Sequence, residues 1–162
     1  MGKLVSGLVI AAFGSAATVT GTWLVGGYDS PDGKNADERP SAQITEVKHV
    51  RDGKVVLSGT IRNVSQSASL WSFVKDSNGN YFPNYKVCTI EAAAGTWACP
   101  ELRLAARGAE PDDSTTVYVA LVNGVGGQKI AKYQMDKASN PKAALDGLPE
   151  GSTTLAEQRG IR

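Results

Sequence analysis

The stretch from Leu4 to Tyr28 contains no charged residue, and it constrains this chain more than any other feature. A bilayer core of roughly 30 Å is crossed by about 20 apolar helical residues, and the uncharged stretch is at least that long. Trp23 and Tyr28 stand near its end, where amphipathic rings favour the headgroup layer. Residues 1–28 are therefore predicted to form one N-terminal transmembrane helix that anchors the protein.

Cleavage as a secretory signal is the alternative interpretation of this segment. Lys3 precedes the apolar stretch, and Ser15 and Ala17 are small residues of the kind found before a cleavage point. Cleavage would give a secreted protein. The apolar stretch continues through Val25, beyond an ordinary signal core, and this favours a retained single-pass anchor. Small residues also recur at helical spacing, so self-association through this face of the span stays open: Gly7, Ala11, Gly14, Ser15, Ala17, Thr18 and Gly21.

The orientation of the protein follows from its cysteines, because the basic residues near the span are balanced on its two sides. Cys88 and Cys99 are the only cysteines in the chain. An isolated pair around a short loop is typical of a disulfide in an oxidising compartment, although two unrelated buried thiols would have the same spacing. A zinc site would need two more ligands, and His49 is the only histidine. We expect a disulfide, a cytoplasmic amino terminus and an extracytoplasmic domain at the cell membrane.

Composition divides the remainder of the chain in two. Residues 29–41 are polar and contain Pro31, Gly33 and Pro40, a pattern that predicts a flexible linker. Residues 42–162 suffice for one compact extracytoplasmic domain. The net charge of the whole chain is +1, so no basic surface for nucleic acid is expected.

Short segments with β-like patterns fill this domain. Gln43–Val50 and Val55–Arg62 flank an Arg-Asp-Gly turn and predict a hairpin. Leu70–Lys75 and Thr116–Asn123 are apolar on both faces, so each predicts a buried central strand, and Trp71 is expected to be a core anchor.

The remaining segments complete the predicted sandwich. Tyr85–Ile90 and Thr96–Leu104 flank a turn and would bring the two cysteines together. A helical pattern spans Gln128–Lys137 after a glycine-rich breaker, and Thr153–Gln158 predicts a last edge strand. The domain is therefore predicted to be all-β, a β-sandwich of six to seven strands.

Several short motifs occur in a recognisable order: Gly59-Thr60, Leu70-Trp71, Tyr81-Phe82-Pro83, Gly95-Thr96-Trp97 and Leu148–Gly151. Between about residues 44 and 159 the chain resembles a small bacterial, actinobacterial-type extracytoplasmic module with an immunoglobulin-like β-sandwich. The resemblance implies the fold and a general recognition role, since the function of that module is poorly defined. This chain departs from it in the cysteine pair and in Ser72-Phe73, so a shared ligand does not follow.

Catalytic residues are not expected. Nucleophilic catalysis needs a base held by an orienting group, and the single histidine, His49, falls in a predicted strand beside charged residues. Asp112 and Asp113 follow a proline and favour a turn, although a glycosidase pair or, with Glu110, a calcium site are weaker alternatives. We expect no enzymatic activity, no cofactor and no metal.

Two functions from different classes remain. The first is a membrane-tethered interaction or structural module that presents a sheet face or loop to another envelope or extracellular protein. The second is a carbohydrate-binding module whose exposed aromatic rings stack on sugars. The candidate ligand-binding residues are Tyr81, Phe82 and Tyr85, and their exposure discriminates between the two.

Overall fold

A computed structural model of the protein describes residues 39–105 and 111–161. The predicted membrane helix and most of the predicted linker lie outside these residues. Within the described ranges, no helix has the length and apolar character needed to span a bilayer. The described residues form the following elements: β1 Ser41–His49, β2 Lys54–Arg62, β3 Leu70–Lys75, β4 Tyr81–Pro83, β5 Thr89–Glu91, β6 Thr96–Arg103, β7 Thr116–Val122, α1 Gly124–Ser139 and β8 Ser152–Arg159.

The strands form two four-stranded antiparallel sheets. Their orders are β1-β2-β6-β5 and β4-β3-β7-β8, which we call sheet A and sheet B. Apolar side chains from both sheets form one buried cluster, to which Leu57 and Trp97 contribute from sheet A and Leu70 and Val119 from sheet B. Two antiparallel sheets around a shared apolar core are the arrangement of a β-sandwich, as predicted, although the described residues form eight strands and not six or seven.

The predicted hairpin is confirmed as β1 and β2. Asp52 and Gly53 both have positive φ, which matches the right-handed twist of the two strands. A β-bulge interrupts the ladder between Ile44 and Glu46. Opposite the bulge, a Cβ atom on Gly59 would overlap the carbonyl oxygen of Gln43, so the close approach of the two strands requires glycine at this position.

Both strands predicted to be central are confirmed, and each is covered on two sides. β3 lies between β4 and β7, and β7 lies between β3 and β8. Leu70 and Val74 join the cluster between the sheets. Phe73 joins a second cluster that includes Ile130 of α1, so the helix covers the other face of sheet B. The domain therefore has three layers in the order sheet A, sheet B and helix.

α1 begins earlier than predicted. The glycines at 124, 126 and 127 suggested a breaker, yet all three lie in the helix. The side chain of Asn123 accepts a hydrogen bond from the Gly126 N–H at 2.9 Å and so caps the first turn. A Cβ atom on Gly126 would come within 2.6 Å of Val122 and 3.2 Å of Pro149. The glycine here permits close packing of the helix start and does not end the helix.

The two tryptophans of the described residues are buried to different extents. Trp71 is half-buried and packs on the second cluster, whereas Trp97 is 2 % exposed between the sheets. The indole Nε1 of Trp97 donates to the Thr60 carbonyl at 2.9 Å. Trp71 was expected to be the core anchor, but its side of sheet B is covered by one helix alone. Trp97 is instead the largest of the fully buried side chains.

Candidate functional site

The connection between β4 and β5 crosses from sheet B to sheet A, and its first residue is tightly held. Asn84 is 4 % exposed. Its Nδ2 donates to the Ser72 hydroxyl at 3.2 Å and to the Pro100 carbonyl at 3.0 Å. Its backbone N–H donates to the Ser72 carbonyl at 2.9 Å. A buried amide with these partners joins both sheets at one point, because Ser72 belongs to sheet B and Pro100 to sheet A.

The other end of the connection is held by the disulfide. Cys88 and Cys99 are bonded, with their Cα atoms 4.0 Å apart, as the sequence predicted. The Cys88 N–H also donates to the Leu70 carbonyl at 2.8 Å. Both cysteines are buried in the core between the sheets. The chain at Cys88 is therefore fixed to sheet A covalently and to sheet B by a backbone bond.

Residues 85–87 project between these two anchors, and we call them the Tyr85 loop. Tyr85 is 72 % exposed and Val87 is 49 % exposed, and Lys86 between them is also exposed. The side chain of Gln134 on α1 donates to the carbonyls of Asn84 and Tyr85 at 3.3 and 3.2 Å. Hydrogen bonds to backbone atoms thus hold the loop, while the side chains of residues 85–87 face solvent. Apolar side chains kept in water on a fixed loop are typical of contact surfaces.

The other two predicted ligand-binding residues, Tyr81 and Phe82, are half-buried in β4. The Tyr81 ring lies 5.5 Å from the ring of Tyr118 and is tilted by 42° to it. The ammonium of Lys137 lies 5.2 Å from the centre of the Phe82 ring, in cation–π contact. Of the three residues singled out from the sequence, Tyr85 alone has most of its side chain exposed.

Two buried tyrosines, Tyr118 and Tyr133, lie near Tyr81 and Tyr85. Burial, followed by the nearby Tyr81 phenol, raises the pKa of Tyr118 to about 12. Burial, followed by the nearby Tyr85 phenol, raises the pKa of Tyr133 to about 12. Both hydroxyls therefore stay protonated well above the ordinary tyrosine pKa of 10. No local sequence pattern pointed to these two residues, because they become neighbours of Tyr81 and Tyr85 only in the folded domain.

The raised pKa values predict a loss of stability at alkaline pH. The unfolded chain releases these two protons near pH 10, whereas the folded chain releases them near pH 12, so stability is retained below pH 10 and falls as the pH rises through this window. Urea midpoints measured across the window check this. The variant carrying Tyr118→Phe and Tyr133→Phe is the control, and its midpoint should fall less steeply. An equally steep fall in both proteins would assign the effect to other groups.

The outer face of sheet A carries a shallow depression with a volume of about 440 Å³. Gly59, Trp97 and Ala98 are among its lining residues. All but one of the polar lining residues carry a hydroxyl group, and the exception is Glu91. The polar lining residues are Thr45, Ser58, Thr60, Thr89, Glu91 and Thr96. These side chains alternate along the strands with core residues such as Leu57 and Trp97, which places them on the solvent side of the sheet.

The acidic residues that had suggested metal or glycosidase chemistry lie in a turn. Oδ1 of Asp112 accepts hydrogen bonds from the Ser114 N–H, the Ser114 hydroxyl and the Thr115 hydroxyl, and the Ser114 hydroxyl chiefly lowers the pKa of Asp112. Glu110 lies outside the described residues. In the part of the chain that the structure describes, histidine, cysteine, aspartate and glutamate side chains form no group of three or more suited to a metal.

Comparison with known proteins does not assign the candidate site to a family. The Tyr85 loop connects the two sheets at the edge formed by β4 and β5, and Gln134 braces it from the helix. Comparisons of this chain with family models, with curated proteins and with solved structures found no match in any of the three.

Proposed function

We propose that this protein is a membrane-tethered, extracytoplasmic interaction module, with an immunoglobulin-like sandwich and without catalytic activity, whose contact surface is the Tyr85 loop. The observation that carries the proposal is the contrast between the loop's backbone and its side chains. The backbone is fixed at Asn84, at Cys88 and by Gln134, while Tyr85 is 72 % exposed.

The fixed backbone matters because binding costs less when a contact loop is already ordered. Ordering a flexible loop on association reduces affinity, and a loop held by a disulfide and buried hydrogen bonds avoids that cost. Tyrosine is also among the residues that contribute most to protein interfaces, since its ring offers a large area and its hydroxyl a hydrogen bond. Lys86 adds a positive charge beside it, which favours a partner with acidic groups around an apolar pocket.

The membrane tether and the location outside the cell rest on the uncharged stretch Leu4–Tyr28 and on the disulfide. A retained span would place the domain within reach of other envelope proteins. The disulfide is typical of an oxidising compartment, and this supports an extracytoplasmic domain.

Carbohydrate binding through Tyr81, Phe82 and Tyr85 has less support. Sugar-binding platforms need aromatic rings with open faces, and Tyr81 and Phe82 are half-buried against Tyr118 and Lys137. A single exposed tyrosine offers one stacking surface. We therefore place a protein partner ahead of a glycan.

Site-specific photo-crosslinking tests the proposed function. A photoreactive phenylalanine analogue at position 85 of the full-length chain, in native membranes, is expected to give a discrete protein adduct. Excess chain without the analogue should compete with that adduct. Substituting Tyr85→Ala in the competitor should weaken competition by about tenfold or more, as for a contact residue of this type. It should leave the unfolding midpoint unchanged, because the ring is largely exposed.

The matched control is Val125→Ala in the competitor. Val125 is 61 % exposed at the start of α1, so this change also removes an exposed apolar side chain, but away from the loop. It should compete as well as the unmodified chain. Equal competition by the Tyr85→Ala and Val125→Ala proteins, or adducts of the same pattern from position 154 on β8, would contradict the proposal. An adduct with a polysaccharide would support the carbohydrate alternative.

A further inference from the structure

β1 is an edge strand with one free side. Its only ladder partner among the described strands is β2. β8, the edge strand of sheet B, lies close to β1 but shares no ladder with it. A strand edge without a ladder partner is a template for pairing with another chain. The exposed backbone groups and the side-chain charges of β1 determine which strand can pair with it.

The ladder between β1 and β2 shows which backbone groups of β1 point to the free side. The Val50 N–H donates to the Lys54 carbonyl at 3.0 Å, so these two residues form a hydrogen-bonded pair. Bonded and non-bonded pairs alternate along an antiparallel ladder. From the register, Glu46 and Lys48 are bonded to β2, and the backbone groups of Val47 point away from it.

The side chains on either side of Val47 are self-complementary in charge. Glu46 and Lys48 are both exposed. If two copies of β1 pair antiparallel with Val47 opposite Val47, each Glu46 lies opposite Lys48 of the second copy. These are the non-hydrogen-bonded pairs of the new ladder, in which side chains come closest, and opposite charges there stabilise the pairing.

We propose that the domain forms a symmetric dimer in which two β1 strands pair antiparallel about Val47, so that two copies of sheet A become one continuous sheet. The bulge between Ile44 and Glu46 confines the pairing to the second half of β1, since a bulge twists the strand away. The dimer therefore depends on the two Glu46–Lys48 pairs. This dimer does not depend on the proposed role of the Tyr85 loop.

Cysteine cross-linking of the full-length chain in detergent tests the proposal. Val47 lies on the two-fold axis, so Val47→Cys should form a disulfide-linked dimer under mild oxidation. Adding Glu46→Lys places like charges opposite each other at both pairs and should reduce cross-linking about tenfold or more. Adding Lys48→Glu as well exchanges the charges and should restore cross-linking.

Two controls separate this contact from other association. Glu91→Lys makes the same change of charge on β5, at the opposite edge of sheet A, and should leave cross-linking unchanged. Thr89→Cys, on β5 at that opposite edge, should give no cross-linked dimer. Because Val47 is half-buried, the same charge series without the cysteine is followed by sedimentation. A folded Val47→Cys chain that does not cross-link, or a dimer that ignores Glu46→Lys, would overturn the proposal.

Discussion

Replacing Trp97 by alanine is expected to lower the free energy of unfolding by about 3–5 kcal/mol, which approaches the whole stability of a small domain. The ring is 2 % exposed and lies in the cluster between the sheets, and its removal leaves a cavity. The substitution also removes the Nε1 donor of the Thr60 carbonyl. Urea unfolding followed by far-ultraviolet circular dichroism measures the effect.

Trp71→Ala is the matched comparison for this prediction. Trp71 is half-buried on the helix side of sheet B, so the same truncation removes less buried surface. We expect a loss clearly smaller than that of Trp97→Ala. If Trp71→Ala were the more destabilising of the two, the sheet B–helix layer would contribute more to stability than the core between the sheets.

Gly59→Ala is expected to have the second large effect. The added methyl group would overlap the carbonyl oxygen of Gln43 and lie 3.0 Å from the Trp97 indole. Backbone atoms of a paired strand cannot turn aside as a flexible side chain does. The cost should therefore reach or exceed the upper end of the roughly 1–3 kcal/mol typical of overpacked cores. Thermal unfolding of the full-length variant measures it.

Gly127→Ala provides the control for Gly59→Ala. A Cβ atom on Gly127 would meet no atom within 4 Å, and the residue lies inside α1. Alanine is favoured over glycine in a helix by about 0.5–1 kcal/mol, so this substitution should raise stability slightly. If both variants lost stability equally, the close strand approach at Gly59 would not be the cause.

The elements that the sequence predicted well are those with strong local signals. The β1–β2 hairpin has turn residues that tolerate positive φ, between strands of apolar alternation. β3 and β7 are apolar on both faces, and this pattern is specific to central strands. The disulfide followed from the isolation of its two cysteines. In each case a few adjacent residues carry the information.

The features that the sequence did not predict depend on residues far apart in the chain. β4 has only three residues, and the hairpin strand predicted at Tyr85–Ile90 is reduced to β5, because residues 85–87 form a loop. The depth of Trp97 depends on its position opposite sheet B, and α1 starts early because Asn123 caps it. Tyr85 was singled out as an aromatic residue, but its anchoring depends on contacts of Asn84 with Ser72 and Pro100. Such contacts exist only after the sheets have packed.

The anchoring of the Tyr85 loop has a consequence for how this domain can change. The bonds that hold the loop involve Asn84, Cys88, Gln134 and backbone atoms, and none of those hydrogen bonds uses a side chain of residues 85–87. The residues that maintain the fold and the residues that a partner would contact are therefore different sets. Substitutions at residues 85–87 should therefore leave the framework intact, so a foreign binding sequence can be grafted there.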